Sequence, residues 1–109
     1  MAGLEKGEAL CSLVLFPHTM EFLSKLENAW SARQTMVCVG LDPRMERLPA
    51  SIRRDRAPFL AFNRQVIDRT LPHACAYKHQ IYCYAGTDRL DELRRTLDYL
   101  RERAPEVPV

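Results

Sequence analysis

One five-residue pattern occurs twice in this chain and constrains its fold more than any other feature. Residues 38–42 (CVGLD) and 74–78 (ACAYK) both run small, bulky, small, bulky, charged. Side chains alternate between the two faces of a β-strand, so each segment places two small residues and its final charge on one face. If the two strands are parallel neighbours, about 5 Å apart, Asp42 and Lys78 meet at their carboxyl ends. Enzymes built on α/β barrels carry their chemistry at that end of the strands.

The length and charge of the chain narrow the classes of function. With 109 residues it is long enough for one small domain, and its formal net charge is only +2. The arginines at 53–56 and 89–103 are typical of solvated faces, so we expect no nucleic-acid partner. No segment is long enough to span a membrane, and the short apolar run at 9–16 lacks the cleavage site of a secretory signal. We expect no membrane partner.

The cysteines indicate a reducing compartment. They show no CxxC motif and no regular spacing, and two of them lie in predicted strands, where a free cysteine behaves as a small hydrophobe. The four are Cys11, Cys38, Cys75 and Cys83. We therefore expect reduced thiols and a cytoplasmic protein. A zinc site formed by His73, Cys75, His79 and Cys83 is an alternative, although its spacing matches no structural zinc module.

Hydrophobic periodicity predicts helices that alternate with strands. Helices are expected from Met20 to about residue 30, from 59 to 71, and from about 88 to 104, with strands at 36–39 and 74–78. Their apolar stripes are Phe22, Leu26, Ala29 and Trp30, then Phe59, Phe62, Val66, Ile67 and Thr70, then Leu90, Leu93, Leu97 and Leu100. Trp30 is expected in the core. Pro17 is expected to end the segment before the first helix, and residues 107–109 look like a third strand beginning.

This order predicts an α/β protein with a parallel sheet and right-handed crossovers. A closed eight-stranded barrel takes roughly 200 to 250 residues. The chain supplies only about two and a half βα units, so we expect it to be a piece of a larger fold.

Motifs spread over residues 20–109 resemble one enzyme family. They are FLSKL at 22–26, AW at 29–30, VGLDP at 39–43, LP at 48–49, FN at 62–63, VID at 66–68 and AYK-x-Q at 76–80. Together they resemble orotidine 5′-phosphate decarboxylase, the last enzyme of UMP synthesis in pyrimidine biosynthesis, in its bacterial branch with longer chains. Residues 1–19 match nothing in that family, so we expect a poorly ordered extension before a domain that spans 20–109.

The resemblance implies the amino-terminal part of a (β/α)₈ TIM barrel, from a homodimeric lyase that needs no cofactor and no metal. It implies orotidine 5′-phosphate as the substrate, with Asp42 binding its ribose. Lys78 would also contact the ribose and would join an alternating Lys–Asp–Lys–Asp charge network. In the family, the lysine that protonates C6 lies in a D-x-K-x-x-D motif that follows a Val-Pro-Val segment like 107–109. Because the chain lacks that motif, we expect it to be inactive alone.

Two other functions stay open. Lys78 could form a Schiff base in a different α/β-barrel lyase, although a neighbouring Asp42 favours the charged amine over the neutral nucleophile. The chain could instead be an inactive fragment or an interaction module. Taken singly, Asp42 before a proline is typical of a turn, and Lys78 is typical of an exposed strand end. The matched register of the two residues is what favours a functional pair.

Overall fold

The computed structural model describes residues 17–109, in which helices alternate with short strands. The helices are α1 (Pro17–Arg33), α2 (Ala50–Arg53), α3 (Pro58–Thr70), α4 (Ile81–Ala85) and α5 (Leu90–Arg103), and the strands are β1 (Cys38–Gly40) and β2 (Ala76–Lys78). Two 3₁₀ turns, Met45–Arg47 and Leu71–His73, follow β1 and α3. The mixed α/β character and the alternating order agree with the prediction. Helix α4 was not predicted.

Strands β1 and β2 form a parallel sheet, with Cys38 opposite Ala76 and Gly40 opposite Lys78. The pairing continues beyond the strands, because the Leu41 N–H donates to the Lys78 carbonyl at 2.8 Å. Parallel neighbours need a crossover connection, and α3 supplies it. The predicted parallel pairing of the two segments is confirmed.

The segment 107–109 lies beside the other edge of β2. It is not a strand in the structure, but the Tyr77 N–H donates to the Pro108 carbonyl at 3.1 Å. Of the predicted third strand, the structure shows one backbone hydrogen bond to β2 and no regular strand.

The two faces of the sheet differ in how they are covered. On one face, helices α3 and α5 and the bulky strand residues form a buried cluster of Leu41, Ile67, Ala74, Tyr77, Leu100, Ala104 and Val107. On the other face Cys38 and Gly40 are exposed, and Ala29 of α1 packs on Ala76. The alternation of bulky and small residues thus separates a closed face from an open one.

Helix α5 buries polar residues that its leucine stripe did not predict. Glu92, Thr96 and Leu100 are its buried residues, whereas Leu90 is 53% exposed. Glu92 Oε1 accepts the backbone N–H groups of Phe59 (2.8 Å) and Leu60 (3.1 Å), and its Oε2 lies 2.6 Å from Arg89. The first N–H groups of a helix lack partners within it and attract negative charge. Glu92 therefore caps α3 from a neighbouring helix.

Three predictions about individual residues are wrong. Pro17 begins α1, since proline suits the first turn of a helix, so the helix starts three residues before Met20. Trp30 is 43% exposed, because its side of α1 has no covering element among the described residues. From the sequence, Tyr82 is more typical of a packing residue than of a base-stacking one, but in the structure it is 79% exposed. The expectation for 1–19 stays a prediction, because residues 1–16 lie outside those described.

Candidate functional site

The side chains of Asp42 and Lys78 meet at the carboxyl ends of the two strands. Lys78 Nζ lies 3.7 Å from Asp42 Oδ2. Gly40, not Asp42, is the residue paired with Lys78 in the sheet. Asp42 lies two residues after Gly40, and its side chain extends to the Lys78 ammonium. The predicted proximity of the two charges is confirmed.

A backbone amide holds the second oxygen of the carboxylate. The Gln80 N–H donates to Asp42 Oδ1 at 3.0 Å. This contact ties the loop after β2 to the end of β1, and both oxygens of Asp42 then have a partner. A carboxylate has about four lone-pair sites, so Asp42 can still accept hydrogen bonds from the hydroxyl groups of a ligand.

The position of the Asp42 carboxylate leaves little space for a side chain at Gly40. A Cβ placed on Gly40 would lie 3.1 Å from Asp42 Oδ2 and 4.0 Å from Lys78 Cε. A distance of 3.1 Å is tighter than ordinary van der Waals contact, so alanine there would displace the carboxylate. The sequence pattern showed that position 40 is small, but only the structure shows which atoms need the space.

The ion pair is open to solvent. The Lys78 side chain is 59% exposed and that of Asp42 is 41% exposed. Exposed pairs of this kind contribute roughly 0 to 1 kcal/mol to stability. Their attraction increases when a closed site replaces water with less polar surroundings. The pair therefore contributes little to the stability of the fold.

His79 lies between the pair and the interior. Burial lowers the pKa of its imidazole, because the charged form is poorly solvated there; Asp42 opposes this effect and Lys78 adds to it. Its Nε2 is buried without a hydrogen-bond partner in the part of the chain that the structure describes. At neutral pH the ring is uncharged, so Asp42 and Lys78 set the local electrostatics.

An apolar recess adjoins Lys78. It has a volume of about 480 Å³, and its walls include Cys38, Ala76, His79, Leu93 and Leu97. Small-molecule sites commonly combine such apolar walls with a few fixed polar groups. The recess and the ion pair lie next to each other at this end of the sheet.

Sequence reasoning missed a buried polar network behind the site. Tyr84 is fully buried, and its hydroxyl donates to the Leu41 carbonyl at 2.7 Å. The Asn63 amide donates to the Tyr84 hydroxyl at 2.9 Å and to the Thr96 hydroxyl at 3.1 Å. One clue was available, because Asn63 lies on the apolar stripe of α3, midway between Phe59 and Ile67. A polar residue on such a stripe needs buried partners.

The structure does not support the zinc alternative. Within residues 17–109, no three histidine, cysteine or acidic side chains come together in a way that could hold a metal ion. His73, Cys75, His79 and Cys83 all lie in that range, so the proposed ligand set is wrong. In the same range, none of the helices has the length and apolarity to cross a bilayer.

Comparison with curated proteins confirms the resemblance. An orotidine 5′-phosphate decarboxylase of Janthinobacterium sp. (strain Marseille) is 38% identical over 90 residues, which are 83% of this chain and 33% of the relative. The enzymes of that name from Bordetella pertussis and Cellvibrio japonicus are 38% and 36% identical, over 90 and 92 residues. The chain spans about a third of the length of the curated relatives it matches, consistent with their amino-terminal third.

Two further comparisons found no match. No profile of a known protein family matches the chain. No solved structure matches it either.

Proposed function

We propose that this chain, homologous over 90 residues to orotidine 5′-phosphate decarboxylases, contributes Asp42 and Lys78 to the active site of such an enzyme. The complete enzyme would convert orotidine 5′-phosphate to UMP and CO₂ in the cytoplasm, as a step of pyrimidine biosynthesis. The observation that carries the proposal is the contact between Asp42 and Lys78 at the carboxyl ends of two neighbouring parallel strands.

Each residue of the pair has a role in this scheme. Asp42 accepts hydrogen bonds from the ribose hydroxyls, for which its carboxylate has free lone pairs. Lys78 donates to the ribose and supplies one positive charge of the network around the reacting ring. Asp42 supplies the opposite charge next to it, 3.7 Å from the Lys78 ammonium.

The decarboxylation itself needs a further lysine. Loss of CO₂ from C6 leaves a carbanion without an adjacent group to delocalise it, and an ammonium at C6 stabilises that charge and then protonates it. By resemblance, this lysine belongs to a D-x-K-x-x-D motif that residues 1–109 do not contain. The active species would therefore be this chain joined to the rest of the barrel, as a homodimer, and the chain alone would be inactive.

Complementation tests the proposal. We would produce the full chain together with the remaining two-thirds of the Janthinobacterium relative and measure UMP formation from orotidine 5′-phosphate. Activity is expected only when both polypeptides are present. Removing one preorganised charge from such a site typically costs about 10²- to 10³-fold in rate, and we expect that loss for Lys78→Ala. Lys25→Ala, which changes the other described lysine, should leave the rate unchanged.

Two results would contradict the proposal. The first is a complemented enzyme whose activity is the same with Lys78→Ala as with Lys25→Ala. The second is UMP formation by the pure chain above the level of its Lys78→Ala variant, which would show that no further lysine is needed. Trapping of a carbonyl compound on Lys78 by borohydride would instead favour the Schiff-base lyase.

A further inference from the structure

The main-chain carbonyl next to Asp42 is held by a buried side chain from another element. Leu41 is fully buried, and its N–H donates to the Lys78 carbonyl. Its own carbonyl accepts the Tyr84 hydroxyl at 2.7 Å. Leu41 is therefore fixed on both sides, by the end of β2 and by α4. Asp42 is the next residue, so the position of its carboxylate depends on the two hydrogen bonds that hold Leu41.

Every hydrogen in this network can be assigned. A carbonyl only accepts, so the Tyr84 hydroxyl must donate to Leu41. The Thr96 hydroxyl donates to the Glu92 carbonyl at 2.8 Å, so it too has used its hydrogen. Both hydroxyl oxygens are then acceptors, and the two N–H groups of the Asn63 amide are the donors that serve them.

This assignment allows only one orientation of the Asn63 amide. In the reverse orientation its carbonyl oxygen would face two hydroxyl groups whose hydrogens are already committed. In the observed orientation Oδ1 is the one atom of the amide left without a hydrogen bond in residues 17–109. An unpaired buried acceptor costs free energy. The Asn63 amide leaves its oxygen without a hydrogen bond while both of its N–H groups donate, one to Tyr84 and one to Thr96.

We propose that Tyr84, oriented by Asn63 and Thr96, is a positioning residue for Asp42. It fixes the Leu41 carbonyl and, from the helix that follows Gln80, also fixes the amide that holds Asp42 Oδ1. The carboxylate therefore faces Lys78 before any ligand binds. The importance of this for catalysis rests on the proposed function, but the positioning itself concerns only the chain described here.

Supporting observations come from the surroundings of Tyr84. Its ring packs edge-to-face on Phe59, with centroids 5.8 Å apart, so Tyr84→Phe removes the hydroxyl and keeps the packing. Burial raises the pKa of Tyr84 to about 12, although the Asn63 hydrogen bond lowers it, so the hydroxyl keeps its hydrogen at neutral pH. Tyr82, two positions earlier in α4 and largely exposed, provides a matched control.

Glutamine-selective ¹⁵N labelling of the full chain gives a direct measurement. The chain has three glutamines, so Gln34 and Gln65 serve as internal references for the Gln80 amide signal. Asp42→Asn should move the Gln80 signal, because that amide donates to the carboxylate. In the Tyr84→Phe background the same substitution should move it by less than half as much. In the Tyr82→Phe background the displacement should be unchanged.

A second pair of variants covers the case in which Tyr84→Phe does not fold. Thr96→Val removes an acceptor of the Asn63 amide and should reduce the Gln80 displacement, whereas Thr96→Ser keeps the hydroxyl and should preserve it. An equal displacement in all folded backgrounds would overturn the positioning role, even if the variants are less stable. This measurement needs no substrate, so it can fail or succeed independently of UMP formation by the complemented enzyme.

Discussion

The polar side chains on the two faces of the β1–β2 sheet differ in burial and in hydrogen bonding. On the face covered by α3 and α5, Glu92, Asn63 and Tyr84 are buried, and nearly all their polar atoms have partners. On the opposite face, Asp42 and Lys78 keep large exposed fractions and make one long contact. The closed face holds the strands in register, and the open face leaves the two charges exposed to solvent. Substitutions on the closed face should therefore lower stability, and substitutions on the open face should not.

The largest effect is expected from a cavity on the closed face. Leu41→Ala removes a fully buried side chain, and such changes cost about 2 to 5 kcal/mol. Met36 lies in the same segment but is 69% exposed, so Met36→Ala should change stability by less than about 0.5 kcal/mol. Denaturant unfolding followed by circular dichroism measures both. Equal losses for the two variants would show that the two faces are not distinct.

The next largest effect is expected at the cap that links α5 to α3. Glu92→Ala leaves two helix N–H groups without their acceptor and leaves Arg89 without its partner. Removing one partner of a buried ion pair costs about 3 kcal/mol or more in unfolding free energy. We expect a smaller loss for Glu92→Ala, because the Arg89 side chain is partly exposed. Glu102→Ala, on an exposed position of the same helix, is the control. A similar midpoint of unfolding for both variants would contradict the capping role.

Alkaline pH should destabilise the closed face. The pKa of Tyr84 rises from its ordinary value of 10 to about 12 on folding, so the folded chain holds a proton that the unfolded chain releases. The stabilisation is complete below pH 10 and is lost as the pH rises towards 12. Two pKa units correspond to roughly 3 kcal/mol. Unfolding free energies between pH 9 and 12 should fall less steeply for Tyr84→Phe than for Tyr82→Phe, and equal slopes would place the effect elsewhere.

The smallest effect is expected on the open face. Asp42→Asn should change the unfolding free energy by less than about 1 kcal/mol, because the pair is exposed and screened. Raising the salt concentration to about 1 M should remove most of that difference, since the screening length is then only about 3 Å. A loss as large as that of Glu92→Ala would mean that the pair supports the fold rather than a ligand.

The sequence was enough to predict the features that depend on local alternation. Small and bulky residues at 38–42 and 74–78 set the faces of both strands and brought Asp42 to Lys78. Periodicity also found the helices, but it could not show what covers each helix face, so Trp30 was placed in the core although it is exposed. Buried polar partners are equally hidden from periodicity. Glu92 and Thr96 are not part of the leucine stripe of their helix, and their hydrogen-bond partners are 33 positions away in sequence.

The contact between Pro108 and Tyr77 makes the two borders of the sheet unequal. The segment 107–109 lies along the border of β2 and takes the Tyr77 N–H, so that border is already partly covered. On the far side of β1, the described residues provide no strand partner, and Met36 and Val37 beside that border are exposed and apolar. Unprotected strand borders promote self-association. Copies of this chain should therefore aggregate through β1 before β2, and a proline or lysine introduced near position 37 would be the change that keeps them apart.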